Sequence, residues 1–425
     1  MQLNVDGWAA SDIGRRRERN EDRYFCDPAK GVFAVADGVG GKPGGAEASK
    51  MVVEQLEERA AEVRRFVDER AVPLDDRSRD EIFEFLTGAV QEINRKVYQK
   101  KSPSTYPRGI GSTLDMVVLA AQGAFVLHVG DSRVYLLRGE DIYRITRDHT
   151  YEEHIRQNPH LLSGDQTPGE YSHVLTRSIG GRPRVRVDRV FVELKPGDQL
   201  LLCTDGITNE VDGAEIQRLF GDEPPRRQTA QKLVDLANER GGRDNATAVV
   251  VQVDSSAETG DDGIGFSRAT TRRDTFWRVR FLESVEMFSE LNFQELLRVL
   301  RFVHTRSVTA GETIVRRGDP VDGLYFVMEG QLSVQIESAE LTRLGEGEHF
   351  GEFALFGEPV RSADVHAECD GELLFISREN VDRLIEQTPG LGIKLLRKML
   401  ERTSQIIQSM LGYTPHRRQR TTNNE

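Results

Sequence analysis

Five short elements in the first 245 residues set a carboxylate beside glycine or asparagine: Asn20-Glu21-Asp22, Asp37-Gly38, Gly130-Asp131-Ser132-Arg133, Asp205-Gly206 and Gly242-Arg243-Asp244-Asn245. Most border a short apolar run. A strand that ends in Asp-Gly aims its carboxylate out of the sheet edge, and the glycine lets the backbone turn tightly. Several such carboxylates converging would form an all-oxygen site for hard divalent cations. Two such ions held close together can share a water, lower its pKa and clamp phosphoryl oxygens. That chemistry is metal-assisted hydrolysis of a phosphate ester, with no covalent enzyme nucleophile. An arginine would hold the phosphate in a bidentate grip. Arg17, four residues before Glu21, is the natural candidate, with Arg15, Arg16 and Arg19 as neighbours. Taken singly, each element reads as an ordinary turn, because Asp-Gly is a common turn dipeptide.

A second constellation lies near the other end. Phe350-Gly351-Glu352-Phe353-Ala354-Leu355 is followed, five residues on, by Arg361-Ser362-Ala363. A ribose cyclic phosphate presents one anionic phosphate and a free 2′-hydroxyl. Glu352 can accept the hydroxyl hydrogen bond, and Arg361 can pair with the phosphate. A helical turn starting near Glu352 would add backbone N–H groups and a favourable dipole. Alone, the pair reads equally as a surface Glu and Arg.

The elements that must position these groups are legible around them. Gly31 to Asp37 (GVFAVAD) is a short apolar run that predicts a buried strand. Residues 46–69 and 80–98 carry helix formers with apolar residues at helical spacing. Thr113–Ala121, Phe125–Val129, Val134–Leu137, Leu200–Cys203 and Ala246–Val253 are β-rich runs split by turn residues. The polar segment 158–171, with Gly and Pro, predicts a surface loop or flap. Composition shifts at Ser255–Arg273, which has few large apolar residues and predicts an interdomain linker. Trp277–Val303 then reads as helical. From Arg306 to Ile376, short β-runs punctuated by glycines predict a small barrel or jelly roll. Ser377 is a candidate N-cap, and Ile393–Leu411 is amphipathic.

The 425-residue length predicts two domains. With Lys+Arg 57, Asp+Glu 69 and a net charge of −12, the chain is a poor non-specific binder of nucleic acid or anionic membrane. Cys26, Cys203 and Cys369 are odd in number and far apart, and read as reduced core thiols in a reducing compartment. No secretory signal is evident at the N-terminus, and Met116–Val129 reads as two strands and a turn, not a membrane span. The cytoplasm is the expected location.

Read in order, Arg17-Glu18-Arg19-Asn20-Glu21-Asp22, Ala36-Asp37-Gly38-Val39-Gly40-Gly41, Gly111-Ser112-Thr113, Gly130 to Arg133, Leu175 to Gly180, Thr204-Asp205-Gly206 and Gly241 to Asn245 resemble the PPM (PP2C-type) protein Ser/Thr phosphatase family in its bacterial form. The match runs from about Trp8 to Val253. The resemblance implies an αββα sandwich with metals in a channel at one end. It implies that Asp37, the Gly38 carbonyl, Asp205 and Asp244 bind two Mn2+ or Mg2+ ions, with Asp22 helping through water. Asp131 would serve a third, more weakly held ion with Asp205, and Arg17 would hold the substrate phosphate. The catalytic set is then Arg17, Asp37 and Asp205. Many relatives carry a His after the Asp-Gly or after the glycines; here Val39 and Lys42 stand there, so the general acid is unassigned. His149, in Arg147-Asp148-His149-Thr150, resembles a structural element of the family.

The later block resembles the phosphate-binding cassette of cyclic-nucleotide-binding domains, over about Leu282 to Leu411. It implies Gly351, Glu352, Arg361 and Ser362 as ligand contacts for cAMP or cGMP, the base being left open. The expected fold class is α/β (α+β): an αββα sandwich phosphatase domain followed by a β jelly-roll domain with flanking helices. The expected division is 1–254 phosphatase, 255–278 linker, 279–411 cyclic-nucleotide-binding domain and 412–425 polar tail. The expected function is a metal-dependent phosphatase acting on phosphoSer and phosphoThr proteins, a Ser/Thr kinase or its targets among them, regulated by a cyclic nucleotide. The alternative is a jelly roll that binds no nucleotide and serves dimerisation or partner binding. Neither nucleic acid nor membrane is expected as a partner.

Overall fold

A computed structural model of the chain describes residues 4–40, 44–71, 74–102, 104–106, 109–157, 174–221, 227–254, 275–291, 293–337, 339–351 and 360–410. The chain divides into two compact units, Met1–Asp262 and Gly263–Glu425.

The first unit begins with β1 (Asn4–Asp12), β2 (Arg23–Asp27), β3 (Val32–Ala36) and the short β4 (Gly38–Val39). Helices α1 (Gly44–Arg70) and α2 (Asp76–Gln99) follow, then β5 (Gly111–Ser112), β6 (Leu114–Ala120), β7 (Gly123–Val129), β8 (Arg133–Arg138) and β9 (Asp141–Arg144). After α3 (Tyr151–Gln157) come β10 (Asp188–Glu193), β11 (Gln199–Cys203), α4 (Asp205–Thr208), α5 (Gly213–Gly221), α6 (Arg227–Glu239) and β12 (Ala246–Asp254). The strands form two five-stranded antiparallel sheets, ordered β1-β12-β11-β8-β9 and β10-β7-β6-β3-β2.

Strand alternation builds the layers. Val32, Ala34 and Ala36 of β3 and Met116, Val118 and Ala120 of β6 share a core with Val52, Leu56 and Val63 of α1 and Ile82, Leu86 and Ile93 of α2. On the other sheet, Leu201 and Cys203 of β11 and Ala248 and Val250 of β12 pack with Ile216 of α5 and Leu233 and Val234 of α6. The intervening residues Phe33, Val35, Val117, Leu200, Leu202, Val249 and Val251 are equally buried, on the opposite strand faces. These inner faces meet: a Cβ on Gly7 of β1 would come within 2.7 Å of the Phe33 ring. The result is the expected αββα sandwich. Helix α2 starts earlier than its apolar periodicity indicates because the Asp75 side chain accepts from the Ser78 N–H at 2.7 Å, a capping bond.

In the second unit, α7 (Thr275–Ser284), a 3-10 turn at Glu286–Phe288 and α8 (Phe293–Leu300) replace the single helical stretch read at 277–303. The helix α7 opens within the 255–278 segment. Strands β13 (Val303–Val308), β14 (Thr313–Val315), β15 (Gly323–Glu329), β16 (Leu332–Ile336), β17 (Ala339–Leu344), β18 (His349–Phe350), β19 (Asp364–Ala367) and β20 (Gly371–Ser377) form two four-stranded antiparallel sheets, β13-β20-β15-β18 and β14-β19-β16-β17. Val308, Ile314, Tyr325, Val327, Leu332, Val365 and Leu373 fill the space between them, as in a jelly roll. Ser377 caps α9 (Arg378–Gln387), accepting from the Asn380 N–H at 3.2 Å, and α10 (Pro389–Met410) follows.

Cys26, Cys203 and Cys369 are free thiols, but only Cys203 is a core residue: Cys26 is half-buried and Cys369 is exposed, in the bend between β19 and β20. The segment read as a flap, the linker 255–273 and Glu352 lie outside the described residues. Among the described residues no helix is long and apolar enough to cross a membrane.

Candidate functional site

Strand register brings the five aspartates to one end of the sandwich. Arg23 of β2 pairs with Ala36 of β3, so Asp22 and Asp37 flank the same edge. Leu114 of β6 pairs with Val129 of β7, and Arg133 of β8 with Cys203 of β11, which sets the Asp131 turn beside the end of β11. Cys203 pairs with Ala248 of β12, leaving Asp205 and Asp244 just beyond that same end. At that end their charges act on one another. Burial first, then the charges of Asp22, Asp205, Asp131 and Asp244, hold the Asp37 carboxyl well above the usual carboxylate range. Burial pushes Asp22 up to about 7 against two hydroxyl hydrogen bonds that lower it. Burial, followed by the charge of Asp205, pushes Asp131 to about 7.

Neutral hydrogen-bonding groups orient these carboxylates. Thr204 and Thr247 donate to Asp22 Oδ2 at 2.8 and 2.7 Å. Asp22 is only 1% exposed, and its Oδ1 has no partner among the described residues. Asn245 Oδ1 accepts from the Glu21 N–H at 2.8 Å, while its Nδ2 donates to the Ile13 and Arg19 carbonyls, stapling the arginine-rich loop to the start of β12. Thr113 Oγ1 accepts from the Asp37 N–H at 2.9 Å and lies 2.7 Å from Ser132 Oγ, while its N–H donates to the Asp37 carbonyl at 2.8 Å. One threonine thus ties the Asp37 and Asp131 turns together. Arg17 pairs with Asp244 at 2.5 Å, half-exposed, with Asp37 and Glu21 close enough to act on its charge.

Gly38 is required for space: a Cβ there would stand 2.4 Å from both the carbonyl carbon and oxygen of Gly45. Neither is a flexible side chain. Gly38→Ala is therefore expected to destabilise the protein by about 1–3 kcal/mol, the cost of overpacking, and to lower phosphatase activity by displacing Asp37. Denaturant unfolding beside an activity assay checks this; a variant with wild-type stability and rate would contradict it.

The donor set fits hard divalent cations. It is all oxygen, it concentrates negative charge where burial opposes it, and it includes the unpartnered Asp22 Oδ1. Among the described residues, no three of His, Cys, Asp and Glu close into a cage by side chains alone. The Gly38 carbonyl and waters would complete the coordination, as hydrated Mg2+ tolerates.

Both ring nitrogens of His149 are engaged within the fold: the Gly130 N–H donates to its Nδ1 at 3.1 Å, and its Nε2 lies 2.9 Å from Arg177 Nη1 and 3.2 Å from Asp188. Burial pulls its pKa from 6.5 down to about 4. The folded chain therefore keeps His149 neutral while the unfolded chain protonates it, so this group withdraws stability as pH falls from 6.5 toward 4. The full loss is roughly 3 kcal/mol, at 1.36 kcal/mol per pKa unit. Denaturant unfolding of wild type beside His149→Asn between pH 7 and 4 reads it: the stability gap between them should narrow on acidification, and a constant gap would contradict the assignment.

In the second unit, Arg361 is 5% exposed. Its Nη2 donates to the Gly323 carbonyl at 2.8 Å and pairs with Asp322 Oδ1. Its guanidinium lies 5.6 Å from the Tyr325 ring centroid and 6.0 Å from that of Phe350, and those two rings stack at 5.0 Å. The Tyr325 hydroxyl donates to Asp322 Oδ2 at 2.6 Å. Arg361 Nε is buried with no hydrogen-bond partner among the described residues. Gly351 sits at φ +102°, and a Cβ there would meet Arg361 Nη1 at 2.7 Å. Ser362 is exposed. Nothing in the sequence singles out Asp322 as the partner of Arg361. Nor does it assign roles to Thr113, Thr204, Thr247 and Asn245, although all but Thr247 lie in or beside the quoted motifs.

Fold and site define a metal-dependent phosphoprotein phosphatase joined to a C-terminal cyclic-nucleotide-binding domain. The Protein phosphatase 2C family model matches residues 14–243, and the Cyclic nucleotide-binding domain model matches residues 305–388. The chain is 32% identical over 251 residues to the protein phosphatase PhpP of Streptococcus pneumoniae, covering 57% of this chain and 95% of that protein. It is 29% identical over 247 residues to the serine/threonine phosphatase stp of Listeria monocytogenes, covering 57% of this chain and 94% of that one. The solved S. agalactiae serine/threonine phosphatase superposes with a TM-score of 0.51 at 29% identity, covering 59% of this chain and 100% of that chain. The chain belongs to the protein phosphatase 2C family.

Proposed function

We propose that the chain hydrolyses phosphoSer and phosphoThr in proteins, among them a Ser/Thr kinase or its targets, under control of a cyclic nucleotide. The observation that carries the catalytic half is the meeting of Asp22, Asp37, Asp131, Asp205 and Asp244 at one sheet end with Arg17 beside them. Asp37, the Gly38 carbonyl, Asp205 and Asp244 would hold two Mn2+ or Mg2+ ions, Asp22 would act through water, and Asp131 would serve a third. Those ions would supply a low-pKa water and neutralise phosphoryl charge. The chain's own part is positioning. Thr204 and Thr247 fix Asp22, Thr113 fixes the Asp37 backbone, and Arg17 leaves Asp244 to grip the substrate phosphate. Phosphothreonine-peptide hydrolysis with Mn2+ and with a chelator tests this; equal rates would refute it.

The regulatory half rests on Arg361, a buried cation with an unpartnered Nε beside Gly351. A cyclic phosphate would satisfy it, with Glu352 on the ribose hydroxyl and Ser362 at the rim. Ligand acts only through different affinity for two states of the enzyme.

A further inference from the structure

We propose that the Asp148-His149 dipeptide is a positioning clamp that holds Asp131 in place, an inference that rests on the metal reading above. The turn Gly130-Asp131-Ser132-Arg133 is gripped at both ends by these two neighbours. At the first end, the His149 N–H donates to the Gly130 carbonyl at 2.6 Å, and the Gly130 N–H donates back to His149 Nδ1 at 3.1 Å. At the other, Arg133 donates through Nε and Nη2 to the two carboxylate oxygens of Asp148 at 3.2 and 2.8 Å. Asp131 lies between the two grips.

The clamp is itself anchored. His149 Nε2 lies 3.2 Å from Asp188 of β10, which also receives Arg177 at 2.6 Å. Arg144 of β9 also pairs with Asp148. Asp188 pairs in register with His128 of β7, whose ring packs 4.5 Å from that of His149. Both sheets therefore brace one dipeptide. Gly130 sits at φ +120° with no room for a Cβ, which would stand 2.6 Å from Thr113, so the turn cannot relax toward that side. A carboxylate braced this way meets its cation without reorganising. Loss of a group that orients a ligand typically weakens metal binding about 10- to 100-fold.

Mn2+ calorimetry on the full chain tests the clamp. Wild type is expected to show tight binding followed by a weaker event that Asp131→Asn removes. His149→Phe keeps the packing on His128 but deletes the acceptor for Gly130. It should weaken the later event about tenfold or more while leaving the tight ions bound. His149→Asn, which restores an acceptor near the Nδ1 position, should recover most of the affinity. Asp148→Asn carries the same test from the other end should His149→Phe fail to fold, with thermal unfolding as the check. An unchanged weak event in folded variants overturns the clamp, as does unfolding of both variants. A weak event untouched by Asp131→Asn overturns the clamp and the role of Asp131 together, while absent tight binding in wild type overturns the metal reading beneath both.

Discussion

Asp37→Asn is expected to lower Mn2+-dependent hydrolysis of a phosphothreonine peptide by more than about a hundredfold, above the range seen when only a ligand's supporting partner is lost. Asp37 stands at the centre of the carboxylate cluster, feeling Asp22, Asp205, Asp131 and Asp244 together. Asparagine keeps its shape and removes the charge that would hold cations. The same substitution relieves repulsion among buried carboxylates, so without metal the variant should unfold no earlier than wild type. It should also lose the thermal stabilisation that Mn2+ confers by mass action. That pair of readouts separates a metal ligand from a residue needed only for folding. Asp205→Asn should behave alike, from the first turn of α4. Retained activity in both variants would sink the assignment.

Arg361→Ala is expected to weaken cyclic-nucleotide binding by about 2–5 kcal/mol, or roughly 30- to several-thousand-fold, the cost of truncating one side of a buried charge pair. Its guanidinium is buried against Gly323, Asp322 and two stacked aromatic rings, so no other side chain at that position supplies the same fork. The fold should survive. Asp322 is half-exposed and keeps the Tyr325 hydroxyl, which limits the penalty of leaving it without its cation. Calorimetry with cAMP and with cGMP reads the effect; unchanged affinity for both would refute the cassette reading.

What was legible in the sequence follows from how strongly each segment's local chemistry agrees with its place in the fold. β3 (Val32–Ala36) and residues Ala246–Val253 of β12 are fully buried and rich in Val and Ala, and their apolar runs announce them. β1 does not announce itself. Asp6, Gly7 and Ser11 interrupt it, and it is a strand because it pairs with β12 along its whole length from Asn4–Asp254 to Asp12–Ala246. β10 is hidden likewise, since Asp188, Arg189 and Glu193 give way to the pairing with β7. Tertiary pairing overrides a weak pattern in both cases. Asp37, Asp205 and Asp244 were legible because Asp-Gly and Asp-Asn recur beside apolar runs, and Asp22 and Asp131 because they fall in the ordered series of motifs with them. The hydroxyls that aim them were not, because Thr and Ser occur everywhere and gain meaning only when buried against a carboxylate. Asp322 was invisible for the same reason: an exposed aspartate just before a strand carries no mark of the buried arginine it meets.

The most direct test of the whole account is phosphopeptide hydrolysis at saturating Mn2+, with and without cAMP or cGMP, in wild type beside Arg361→Ala. The expected result is a Mn2+-dependent rate that changes with nucleotide in wild type and ceases to respond at the same nucleotide concentration in the variant, whose basal rate is retained. A Mn2+-dependent rate indifferent to both nucleotides in wild type would contradict ligand control and move the C-terminal domain to dimerisation or partner binding.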